Sequence, residues 1–102
     1  GRWIYATLNN EGRVVRLDLR TGAVDGVATG SAPRSLAMSS DGRTLYVVNY
    51  ESGSVSKLRA RNMRVLQRVQ ACEHPIGITY EPTRDRVWVA VYTGAIVVLA
   101  DA

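Results

Sequence analysis

Side chains able to do chemistry are few in this sequence, and those that stand out lie beside prolines or at the ends of apolar runs. His74, directly ahead of Pro75, is the only histidine and Cys72 the only cysteine; Glu73 stands between them. Arg34 borders Pro33, 42 residues before Pro75. A guanidinium there offers two parallel donors to a carboxylate or phosphate, and an imidazole can bind a ligand or exchange a proton near neutral pH. Both side chains can equally be consumed by backbone carbonyls of adjacent loops, and the sequence leaves both readings open. Tyr50 and Tyr92, also 42 residues apart, are aromatics of the kind enriched in contact surfaces, or else packing residues between structural units. Glu73 is an acid–base partner for His74 by adjacency only, and chain neighbours need not face one another.

Other chemistries are poorly supported. The run Ser54-Val55-Ser56-Lys57 matches a Ser-x-x-Lys pattern, but on a strand residues three apart point to opposite faces, so Lys57 cannot serve Ser54. One histidine and one cysteine in a single loop cannot complete a structural zinc site, and no EF-hand, Gly-rich phosphate loop or zincin pattern occurs. No metal and no cofactor is therefore expected. The lone Cys72 excludes a disulfide within the chain, and with no basic cluster beside it a small buried or half-buried thiol is expected. Asn9 and Asn49 read as turn residues that bond their own backbone.

Composition sets the broad class. A hydrophobic fraction of 46% suits a packed core, and no apolar run reaches the roughly 18 to 20 residues of a membrane-spanning helix. No charged-then-apolar leader is present, which leaves the compartment open. The net charge of +4 comes from arginines scattered between Arg2 and Arg86. Without a basic block or an aromatic-interleaved stripe, nucleic acid is an unfavoured partner, and weak polyanion binding through Arg61, Arg64 and Arg68 is the third of three functional readings.

The elements that must position these residues follow from an internal repeat. Ile4-Tyr5-Ala6-Thr7-Leu8-Asn9 aligns with 45–50 and 87–92; Gly12, Gly53 and Gly94 recur, as do Val14, Val55 and Ile96, and Leu17, Leu58 and Leu99. Turn residues interrupt each copy every eight to twelve residues, and the runs between are short, β-branched or aromatic. Asp41-Gly42 reads as a two-residue type I′ hairpin turn. Runs 45–49 and 87–91 are apolar on both faces and must be covered on both sides. Trp3, Tyr5, Tyr46 and Trp88 lie in such strands and read as packing residues. A period near 41 residues with four short strands is that of a β-propeller: an all-β fold of four-stranded antiparallel blades stacked face to face.

Inner strands are expected at 34–38 and 76–80, second strands at 3–8, 44–49 and 86–91, third strands at 13–19, 54–59 and 95–100, and outer strands at 23–28 and 64–69. These ten strands make about two and a half blades of one propeller domain: a partial blade over 1–29 lacking its inner strand, a complete blade over 30–70, and a partial blade over 71–102 lacking its outer strand. Exposed blade faces and edges call for cover, so the chain is expected to be a segment of a larger ring, or to associate with copies of itself.

The segment Leu45-Tyr46-Val47-Val48-Asn49, followed by Gly53-Ser54-Val55-Ser56, resembles the YVTN-type propeller repeat, with Val48 in place of the motif's Thr. His74-Pro75-Ile76-Gly77-Ile78 is similar to that family's Pro-His-Gly-Ile element with two residues exchanged, and Ser39-Ser40-Asp41-Gly42 to its Ser-Pro-Asp-Gly turn. The resemblance implies a ring usually of seven blades, related to surface-layer and lactonase-like propellers, and a periplasmic, secreted or cell-surface setting. Fold alone does not set the function.

Propeller ligands gather at the channel mouth, on the face built by loops 9–12, 30–34, 49–52, 71–75 and 92–94. Arg34, Tyr50, Glu73, His74 and Tyr92 fall on that rim. The leading expectation is a non-catalytic scaffold that holds a protein or other macromolecule there, with no membrane span. The alternative is a lactonase-like or redox enzyme whose site is completed by further blades.

Overall fold

The computed structural model of the chain describes residues 3–71, 73–92 and 94–100. Ten strands occur among them: β1 (Trp3–Leu8), β2 (Arg13–Asp18), β3 (Val24–Ala28), β4 (Pro33–Met38), β5 (Thr44–Asn49), β6 (Ser54–Arg59), β7 (Arg64–Gln70), β8 (Pro75–Glu81), β9 (Arg86–Val91) and β10 (Ile96–Ala100). A single 3-10 turn, Asn9–Glu11, joins β1 to β2. The strands form three antiparallel meanders: β1-β2-β3, the four-stranded β4-β5-β6-β7, and β8-β9-β10. The expected strands therefore all form, with shifts of a residue or so at their ends.

Glycine recurrence has a direct cause. Gly12, Gly53 and Gly94 adopt φ of 65°, 66° and 99°, the left-handed region that side chains resist, and they lead into the repeat-equivalent strands β2, β6 and β10. At the other end of the middle sheet the turn differs from the sequence expectation. Only Gly42 has positive φ (73°), whereas a type I′ turn needs it at both central residues. Gly42 N–H donates to Ser39 C=O (3.0 Å), and Asp41 accepts from the Ser39 hydroxyl (2.6 Å) and the Arg43 amide (3.0 Å). The side chain of Asp41 thus organises a wider turn, as short acidic side chains do.

Those two bonds, the Ser39 hydroxyl first, hold the Asp41 carboxyl below its ordinary value. A depressed carboxylate stabilises the fold above the unfolded-state pKa, and this contribution is lost as pH falls through the folded-state value. Asp41→Asn should therefore flatten the acid limb of the stability–pH curve, read from denaturant midpoints measured below the ordinary carboxylate range, and leave its neutral region nearly unchanged in slope.

The sheets stack face to face, and the doubly apolar strands explain how. In β5, Leu45 and Val47 turn toward the first sheet, where they join Val14, Leu58 and Met63 in one buried cluster flanked by Tyr5 and Met38. Tyr46 and Val48 turn the other way and join Val55, Val87 and Val89 in a second cluster. Alternation along a strand places these sets on opposite faces. Strands β4 and β8 lie against each other, and β1 against β4. Among the described residues the faces away from these two seams stay open: Ile4 is 50% exposed on the first sheet, and Trp88 40% and Ile96 63% on the third.

Candidate functional site at the loop face

At the end of the strands where β1, β3, β5, β7 and β9 finish, Asn49 occupies the seam between the first two sheets. It is fully buried. Its carbonyl accepts from the Thr29 hydroxyl (3.1 Å), and its amide donates to Ser54 Oγ (3.2 Å) and Ser56 Oγ (3.0 Å). Ser56 passes the chain on to Thr29 C=O (2.9 Å). Asn49 is thus a buried junction between sheets, and its side chain does not bond its own turn as expected. A Cβ on Gly30 would lie 2.7 Å from Asn49 Cγ, so glycine lets the loop pass over the amide. Asn9 also bridges sheets, donating to Pro33 C=O (3.3 Å).

The rim residues are set above this junction by a pair of equivalent contacts. Tyr50 N–H donates to Ala32 C=O (2.8 Å), and Tyr92 N–H to His74 C=O (3.0 Å). Ala32 and His74, each preceding a proline, have φ of 55° and 52°, a strained conformation for side-chain-bearing residues that clusters at functional positions. Beyond each proline the β4–β5 and β8–β9 registers slip, between Pro33 and Ser35 and between Pro75 and Gly77. Arg34 therefore sits at a β-bulge, a feature that re-aims a side chain.

The bulge aims Arg34 over an aromatic. Its guanidinium carbon lies 4.9 Å from the Tyr50 ring centre, and Tyr50 in turn packs on the His74 imidazole, centroids 4.7 Å apart at 32°. A cation, a phenol and an imidazole from two adjacent sheets form one layered patch, with Arg34 and His74 exposed and Tyr50 half-buried. The structure thus brings together Arg34, Tyr50 and His74 of the five rim residues. Glu73 is exposed near them, and Tyr92 is 70% exposed, but among the described residues neither joins the stack. Cys72 and Thr93, both in rim loops, lie outside the described residues. Among the described residues no group of three or more His, Cys, Asp or Glu side chains gathers, and no helix is long and apolar enough to cross a membrane.

A family model described as lactonase, 7-bladed β-propeller matches residues 5–101. The chain belongs to this family. In the lactonase-type ring the three stacked sheets are blades, and the stack of Arg34, Tyr50 and His74 lies on a blade-loop face. No curated protein sequence matches the chain. Among solved structures it is similar to the hydrazine synthase of Kuenenia stuttgartiensis, with 28% identity over 99% of this chain and 30% of that one and a TM-score of 0.93. It is also similar to the dihydro-heme d1 dehydrogenase NirN, with 28% identity over 100% and 26% of the two chains and a TM-score of 0.77. The β-propeller domain of Cps50 (Swd1) from Myceliophteria thermophila shares the fold at 18% identity, 99% and 33% coverage and a TM-score of 0.84. This lactonase-family chain spans less than a third of the length of the first two structures.

Proposed function

We propose that this chain is a sector of a lactonase-family propeller that holds a protein or other macromolecular partner at its loop face, with the remaining blades supplied by further chain segments. The observation that carries this reading is the layered stack of Arg34 on Tyr50 on His74. Aromatic and arginine side chains fixed in place are what contact surfaces concentrate, and this trio is fixed by a bulge, two prolines and a pair of matched backbone bonds. Exposed Tyr92 and Glu73 extend the same rim. In the protein that carries this chain, Arg34→Ala combined with Tyr50→Ala and His74→Ala should reduce retention of the partner on an affinity support by more than about tenfold, the range expected when a cluster of hot-spot residues is lost. Unchanged retention would refute the assignment.

A second reading is favoured by the family match and by the similarity to two enzymes. In it, Arg34 orients a carboxylate or lactone oxygen, His74 handles a proton, and other blades complete the site. The two readings part on turnover. If the carrier protein hydrolyses a simple γ- or δ-lactone and His74→Ala abolishes this, the rim is an enzyme site; turnover that survives both His74→Ala and Arg34→Ala removes that reading.

A further inference from the structure

The opposite end of the same seam carries a second site. Strand β5 runs from Thr44 to Asn49, about 20 Å at the usual rise, so residues 42–44 lie a full strand away from the rim stack. There a cleft of about 810 Å³ opens between the first and middle sheets, within the range of small-ligand and short-peptide pockets, roughly 300 to 1,000 Å³. Trp3, Tyr5 and Leu66 give it apolar walls, and Arg16, Arg43, Arg59 and Arg61 are its charged lining residues; no acidic residue lines it.

The cleft is held in place by its own arginine. Arg16 pairs with Asp25 (2.8 Å), an interaction that also raises the Arg16 pKa, and its guanidinium carbon lies 4.2 Å from the Trp3 ring centre. The same guanidinium donates to the carbonyls of Ala60 (2.8 Å) and Arg61 (3.0 Å). It therefore ties the β6–β7 turn to the first sheet. Arg16 is spent on these contacts, and Arg59, opposite Thr44 in the β5–β6 register, turns its side chain to the strand face away from Leu45 and Leu58. Asp41 accepts from the Arg43 backbone amide, and among the described residues neither the Arg43 nor the Arg61 guanidinium has a carboxylate within ion-pair distance. Two cations without a counter-ion, beside an apolar wall, are complementary to an anion that carries an apolar group. The repeat shows why the space exists at this seam. The second seam carries the Tyr46–Tyr80 stack, centroids 6.0 Å apart, whereas Met38 stands in the repeat position of Tyr80 at the first.

We infer that the cleft walled by Trp3 and Leu66 and edged by Arg43 and Arg61 binds a short acidic peptide segment, its carboxylates on the two guanidiniums and an aliphatic side chain against the wall. Single-stranded nucleic acid is the poorer fit, because base stacking needs an open aromatic face and Arg16 already covers one face of Trp3. The site is independent of the rim reading and shares none of its residues.

The test is fluorescence anisotropy of a labelled peptide, Asp-Glu-Leu-Leu-Glu-Asp, titrated with the carrier protein at about 0.15 M salt, where long-range attraction is screened beyond about 8 Å. Arg43→Glu with Arg61→Glu should weaken binding by about tenfold or more, the effect of losing charge-assisted contacts. Arg20→Glu with Arg84→Glu, the same charge change at exposed positions outside the cleft, should leave it within about twofold. Replacing both leucines of the peptide by glycine should also weaken binding. If the reversal variant fails to fold, Arg61→Gln takes its place, with a smaller loss expected in the same direction. The inference is overturned by no measurable binding, by equal loss in the cleft and control variants, by indifference to the leucines, or by a twelve-nucleotide RNA that displaces the peptide and shows the same arginine dependence.

Discussion

Leu45→Ala should destabilise this chain by about 2 to 5 kcal/mol, whereas Ile4→Ala, at the equivalent repeat position, should cost less than about 1 kcal/mol. Leu45 has no exposed surface and lies in the cluster with Val14, Val47, Leu58 and Met63. Removing its side chain loses the transfer free energy and leaves a cavity beside Val14 and Val47, β-branched side chains that fill it poorly because each is confined to few rotamers. Ile4 occupies the same place in its own sheet, yet is 50% exposed because none of the described residues covers that face. Denaturant unfolding of the two variants measures the difference. Repeated in the protein that carries this chain, the comparison also reports on completion of the ring: a blade packed on the first sheet should bring the cost of Ile4→Ala close to that of Leu45→Ala. Equal costs in the isolated chain would contradict the burial described here.

The second large effect concerns Asn49. Asn49→Ala should cost about 2 to 4 kcal/mol, because it leaves the buried hydroxyls of Thr29, Ser54 and Ser56 short of partners at a point with no route to water. Each stranded buried polar group costs about 1 to 3 kcal/mol, and rearrangement of the hydroxyls recovers part of the sum. Asn49→Asp should be comparably damaging despite its shape, since it replaces two donated hydrogen bonds by a buried charge. By contrast, Asn9→Ala should be mild, because Asn9 is exposed and makes a single long bond to Pro33 C=O. Thermal midpoints of the three variants rank these effects. A junction that tolerated Asn49→Ala would show that the seam is held by its apolar part alone.

How much of this was legible in the sequence depends on the range of the interaction. The ten strands and their grouping follow from short-range rules: the run 45–49 that is apolar on both faces, the glycines at 12, 53 and 94 that take positive φ, and the prolines that open β4 and β8. The turn at Asp41-Gly42 departs from the sequence expectation because the dipeptide is compatible with two backbone solutions, and the bonds from the Ser39 hydroxyl and the Arg43 amide to Asp41 select the wider one. Asn49 has the local pattern of a turn residue, although Ser54 and Ser56, two apart on a strand and thus on one face, signal a polar patch to which it could belong. The loops that carry Arg34, Tyr50 and His74 follow from the strand order, but no spacing rule tells that Tyr50 separates Arg34 from His74. That arrangement depends on a bulge and on the stacking of two sheets. The arginine cleft was the least visible feature, since residues 3, 16, 43, 59 and 61 meet only when the first seam closes.

The stability effects and the rim share one architecture: buried faces join the sheets, and the matched bonds from Tyr50 and Tyr92 to the residues before the prolines hold the loops on top. The most direct test of the functional claim is site-specific photocrosslinking in the protein that carries this chain. A benzophenone side chain placed at position 50 should crosslink to the partner, and the yield should fall when Arg34 or His74 is replaced by Ala. The same group at position 24, a 63% exposed site on an outer strand, should give no such product. Equal crosslinking at the two positions, or a position-50 product that joins only other parts of the same protein, would contradict a binding face built on Arg34, Tyr50 and His74.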